Sequence, residues 1–105
     1  MGQLNQAIQI ENVLDFYTID NFVETGTGAA EVVRSVNEIN EDVNIHTIEI
    51  IEEIYDKNKI KFSYLNNVNW HLGESSEVLP EIIPKLKGNT LFWLDAHFPG
   101  ADFGL

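Results

Sequence analysis

Phe22-Val23-Glu24-Thr25-Gly26-Thr27-Gly28-Ala29-Ala30 is the stretch that decides how the rest of the chain is read. Asn21 to Glu24 have the apolar, extended character of a strand that closes on an acid. Gly26 and Gly28 supply a turn that can take positive φ and lets a ligand approach bare backbone. Beyond the turn, Ala29, Val32, Val33, Val36 and Ile39 recur at helical spacing, with Glu31, Arg34, Asn37 and Glu38 on the other side. A strand, a glycine turn and a helix in that order leave unpaired N–H groups at the helix start, facing a crevice. The stretch therefore predicts a small-molecule site at the end of the first strand.

The glycine spacing narrows the choice of ligand. A dinucleotide fingerprint, G-x-G-x-x-G, would need its third glycine where Glu31 stands, which disfavours a nicotinamide-binding half. No Gly-Lys-Ser/Thr triplet is present, so there is no phosphate-cradling P-loop. What remains is E-x-G-x-G-x-A, an acid placed ahead of the glycines.

Composition excludes several other classes. At 105 residues the chain is at most one small domain. Its net charge is −11, and its six cations (Arg34, Lys57, Lys59, Lys61, Lys85 and Lys87) are too few and scattered for a phosphate-tracking face. Nucleic acid and anionic membrane surfaces are thus unexpected partners, and a cationic or zwitterionic ligand suits the charge better. No run is long and apolar enough to cross a bilayer, and no signal-peptide pattern opens the chain. The absence of cysteine removes disulfides and thiolate metal sites, and a cytoplasmic location is the expectation.

Outward from the first strand, residues 2–17 carry Leu4, Ala7, Ile8, Val13 and Leu14 in the manner of an amphipathic helix. Asn40-Glu41-Asp42 is a polar turn, and Val43 to Glu49 a β-branched second strand. Ile51, Ile54, Tyr55 and Asn58 mark a helix ending between Lys61 and Leu65. Val68 to Leu72 form a short third strand, broken by Gly73-Glu74-Ser75-Ser76, whose serines can cap a helix. That helix carries Val78, Leu79, Ile82, Ile83 and Leu86. Pro80 is taken as a first-turn proline, and Pro84 is expected to shorten or kink the helix. Thr90-Leu91-Phe92-Trp93-Leu94-Asp95 is a fourth strand, apolar enough to be buried on both faces. The alternation predicts an α/β fold, a Rossmann-like parallel sheet with helices on both faces.

In such a sheet ligands bind beyond the carboxyl ends of the strands. Polar residues collect there: Glu24, Thr25, Gly26, Thr27 and Gly28 after the first strand, Glu49 and Ile50 after the second, Gly73, Glu74 and Ser75 after the third, Asp95 and His97 after the fourth. Glu49 lies about twenty residues past the glycine turn, where a carboxylate can accept both hydroxyl hydrogens of a ribose. Glu74 can accept from an adenine amino group, and Glu24 can stand near an ammonium. His46 and His71 show no partner in sequence and read as plain strand or surface residues.

The E-T-G-T, I-E-I, G-E-S and W-L-D-A-H segments together resemble motifs of class I S-adenosylmethionine-dependent methyltransferases, in particular a bacterial and viral group. Ala30 stands at the family's third glycine, and Glu74 replaces its more usual Asp. The resemblance spans residues 20–100 and implies strand order 3-2-1-4, a bound S-adenosyl-L-methionine and a small-molecule acceptor, with a hydroxyl-bearing metabolite or sugar as the expectation. It places Asp95 and His97 toward that acceptor, where His97 serves as general base and Asp95 orients it, or the pair holds a divalent metal. The family's sheet continues past the fourth strand, so residues 1–105 read as the cofactor-binding half of a larger domain. The fourth strand is then an apolar edge open to self-association. The alternative is a non-catalytic nucleotide-binding or interaction fragment of the same fold.

Overall fold

The structure, a computed structural model, describes residues 18–94. Strands β1 (Asn21–Thr25), β2 (Asn44–Glu49), β3 (Val68–Leu72) and β4 (Thr90–Leu94) form one sheet in the order β3-β2-β1-β4. Every neighbouring pair is parallel. Helices α1 (Glu31–Ile39), α2 (Glu52–Lys61) and α3 (Ser75–Ile82) make the crossovers. The expected α/β architecture and strand order are both present. The helix expected over residues 2–17 lies outside the described residues.

β1 is central and buried at all five positions, and the alternation of a strand sends its side chains to two separate cores. Phe22 joins Ala30, Val33, Val36, Val43, Ile45 and Phe62 on the face covered by α1 and α2. Val23 joins Ile48, Val78 and Ile82 on the face covered by α3. Fully burying side chains such as Phe22 or Ile45 contributes about 1.5–3 kcal/mol each.

Several local expectations are corrected. The first helix begins at Glu31 rather than Ala29, because Ala30 sits in the left-handed region at φ 63°. α2 does not bury the apolar residues that mark it: Ile51 is exposed, Ile54 and Tyr55 are half-buried, and Asn58 is the buried one. Phe62, just past the helix, does the anchoring by stacking on Trp70 at 6.2 Å between centroids. Pro80 lies inside α3, not in its first turn, and at an exposed position. The helix then tightens into a 3₁₀ turn at Ile83–Lys85, so Pro84 shortens it as expected. β4 is not buried on both faces. Among the described residues it is an edge strand with β1 as its neighbour, as the order 3-2-1-4 implied, and Phe92 and Leu94 are 40% and 59% exposed on the face it shares with Val23 and Thr25.

Candidate functional site

The parallel register brings Glu24 opposite Thr47 and Thr25 opposite Ile48 and Leu94. The chain leaves β1 at the middle of the sheet, and the glycine turn is stitched to the end of β2. Gly26 N–H and Thr27 N–H both donate to the Ile48 carbonyl, at 2.8 and 3.2 Å. Gly28 N–H donates to Glu49 Oε1 at 2.9 Å, and Ile51 N–H donates to Oε2 of the same carboxylate at 3.1 Å. From the other side, Gly73 N–H donates to the Glu49 carbonyl at 2.9 Å. The ends of β1, β2 and β3 therefore meet around Glu49. Gly26 and Gly28 take φ of 83° and 54°, so the glycines are required by backbone angle. A side chain at Gly28 would meet only open space, which leaves that backbone accessible.

Glu49 is 6% exposed and gives each carboxylate oxygen one backbone donor. A carboxylate has about four lone-pair sites, so acceptor capacity remains for a vicinal diol. Its burial is that of a built site rather than of a solvated acid at a helix start. Ile50 follows it on the surface, 60% exposed.

Glu24 is almost wholly buried, and Thr47 Oγ1 donates to its Oε1 at 2.8 Å. Thr47 has one hydroxyl proton, so in its 2.6 Å contact with Thr27 it must be the acceptor. The result is a directed chain from Thr27 through Thr47 to Glu24. Thr27, 5% exposed, spends its hydroxyl proton inward, and its backbone N–H and carbonyl are taken by Ile48 and Ala30. Glu74 is exposed, and Ser75 is half-buried as the first residue of α3. The serines were expected to cap α3, but the N-cap position is Glu74, extended at φ −80° and ψ 140°, and no side chain caps the helix. Asp95 and His97 lie outside the described residues. Among the described residues no cluster of three or more His, Asp or Glu groups could hold a metal.

Three side-chain arrangements escaped the sequence reading. Thr47 is the first, legible only once β2 is in register with β1. Asn58 is the second: its Nδ2 donates to the Gly28 carbonyl at 2.6 Å. The third corrects the reading of His46 and His71 as unpartnered. Their rings stack at 5.2 Å with His46 Nδ1 2.9 Å from His71 Nε2. The Asn44 amide lies 3.1 Å from His46 Nε2 and presents its Nδ2, since Asn69 Nδ2 donates to its Oδ1. His46 Nε2 is therefore an acceptor and Nδ1 carries the proton donated to His71. Burial, the neighbouring His71 and the Lys85 ammonium push His46 down to about 4. Burial and Lys85 also lower His71, with Glu81 opposing them.

The fold matches a solved structure, a Staphylococcus aureus protein assigned as a caffeoyl-CoA O-methyltransferase. The match has a TM-score of 0.63 at 20% identity and covers 73% of this chain. The chain spans 38% of the length of that structure. The chain thus shares part of the fold of that structure. No family model and no curated protein matches the chain. Among the described residues no helix is long and apolar enough to cross a membrane.

Proposed function

We propose that the chain is the cofactor-binding half of an S-adenosyl-L-methionine-dependent methyltransferase acting on a hydroxyl-bearing small molecule or sugar. The observation that carries this reading is the Glu49 carboxylate, buried against the glycine turn at the meeting point of three strand ends. It suits a ribose diol, with the exposed Ile50 beside it as apolar cover and Gly73, Glu74 and Ser75 on the adenine side. Gly26 and Gly28, which carry no side chain, let the rest of the cofactor lie close against the turn, whose N–H groups are already donated to Ile48 and Glu49, and Glu24 with Thr25 closes the strand behind them. When bound, the cofactor supplies an electrophilic methyl group on sulfonium. The protein's part is then to position the acceptor in line and exclude water. Asp95 and His97 follow Leu94, the register partner of Thr25, and are proposed to orient the acceptor and take its hydroxyl proton.

Calorimetry with S-adenosylhomocysteine tests the reading. Binding by the wild type is expected, with affinity falling about tenfold or more in Glu49→Gln, the worth of one charge-assisted hydrogen bond. No binding by the wild type overturns it. A second reading, a non-catalytic nucleotide-binding or interaction fragment of the same fold, is favoured by the exposed Phe92 and Leu94 on the edge strand. Binding without turnover on any hydroxyl acceptor is the outcome that selects it.

A further inference from the structure

α2 buries a polar residue where a helix ordinarily buries an apolar one. Asn58 is 4% exposed, while Ile60 on the same helix is 77% exposed. Burial of an amide is unfavourable unless it is hydrogen-bonded, and Asn58 Nδ2 meets the Gly28 carbonyl at 2.6 Å. The N–H of that same glycine meets Glu49 Oε1 at 2.9 Å. Both polar groups flanking the Gly28 Cα are thus gripped by side chains of the second βα unit, one at the end of β2 and one in the middle of α2. Fixing both peptides fixes φ and ψ of Gly28.

The turn needs such a grip. Gly26 and Gly28 have little conformational preference of their own. Ala30 is held at φ 63°, where an L side chain is strained, so other turn conformations are available at lower local cost. The 2.8 Å bond from Ala30 N–H to the Thr27 carbonyl closes a β-turn with Gly28 and Ala29 at its centre, and a turn closed in this way still admits two orientations of the central peptide, whose carbonyl is that of Gly28. A cleft of about 260 Å³ also opens between Gly28, Ala29, Ile54, Lys57, Asn58 and Lys61, so packing alone does not hold α2 against the turn.

We infer that Asn58 is a positioning residue for the proposed cofactor site. It holds the Gly28 carbonyl so that the Gly28 N–H reaches Glu49, and Glu49 in turn keeps its remaining lone pairs directed into the crevice. The ligand in this inference rests on the methyltransferase reading; the grip on Gly28 does not.

Amide hydrogen exchange followed by NMR on the full chain separates the two. Asn58→Leu removes the donor at similar volume, and Asn58→Asp sets an acceptor against the Gly28 carbonyl while keeping the shape. In both, Gly28 N–H is expected to exchange about tenfold faster, with Phe22 and Ile45 amides unchanged. S-adenosylhomocysteine affinity, measured well below the melting transition, is expected to fall by about the same factor. Val36→Ala is the control: it lowers the melting temperature and leaves both low-temperature readouts alone. Unchanged Gly28 exchange in the folded variants overturns the inference. Equal acceleration of the Phe22 and Ile45 amides overturns it as well, since Asn58 then serves only global stability. If Gly28 exchange responds but the wild type binds no S-adenosylhomocysteine, the cofactor reading fails and the grip stands.

Discussion

On the face of the sheet covered by α1 and α2, Phe22, Val33, Val36, Val43 and Ile45 are completely shielded from water. On the α3 face, Val23 and Ile48 occupy the centre, but the half-buried His46 and His71 lie to one side and the exposed Phe92 and Leu94 to the other. The contrast follows from the strand order. Among the described residues β1 and β2 are interior strands and receive helices on both faces, while β3 and β4 are edges that α3 does not span. Stability is therefore concentrated on the first face, and sensitivity to solution conditions on the second.

The strongest way to break this comparison is to truncate one core residue on each face. Ile45→Ala is expected to cost about 4 kcal/mol and Ile82→Ala about 2 kcal/mol, because a partly open core relaxes around a cavity more easily. Chemical denaturation reads the difference. Equal losses would mean that the α3 face is as tightly built as the other.

A change of pH sharpens the comparison from the other side. The folded state holds His46 at about 4, below its ordinary value near 6.5, so the unfolded chain binds the additional proton between those values. The contribution is fully present above pH 6.5 and is lost as pH falls toward 4. The charge of Lys85, which acts on both rings, works in the same direction, and Glu81 partly offsets it at His71. For a half-exposed pair, solvent screening limits the effect to about 1–2 kcal/mol. The stability difference between wild type and His46→Gln, followed by melting at stepped pH, is expected to shrink across that window. A constant difference would show that the two rings do not resist protonation.

The smallest effect is expected at Ala30. Its left-handed backbone costs about 1–2 kcal/mol relative to glycine. Its methyl, however, is fully buried in the larger core and returns about 0.8 kcal/mol. Ala30→Gly is thus expected to stabilise by no more than about 1 kcal/mol, visible as a small rise in melting temperature. A loss of stability would mean that methyl packing outweighs backbone strain.

Most of the fold was legible because its signals are local. The β-branched run at Val43 to Glu49, the glycine turn after Glu24 and the break at Gly73 each carry their own pattern. The errors fall where neighbours override local preference. The apolar letters of Phe92 and Leu94 read as interior, and only the strand order implied by the family resemblance marks their strand as an edge. Ile51 reads as a buried mark of α2, yet the helix is pinned by Asn58 and Phe62 instead. Within the candidate site, Glu49 and the glycines could be named from spacing alone. Thr47 could not, because nothing in a β-branched strand reveals which residue will face a carboxylate across a parallel pair.

The alternation of strands and helices, the position of the glycine turn and the acids that close the first three strands can all be read from the residues alone. Hydrophobic period and turn chemistry act over a few residues and need no partner to be read. The pairing of Thr47 with Glu24, of Asn58 with Gly28 and of His46 with His71 emerges only when the chain is folded. Each joins groups more than twenty residues apart, at distances set by strand register and helix docking. A hydrogen bond's length is fixed by where two backbones are held, and no run of letters carries that distance.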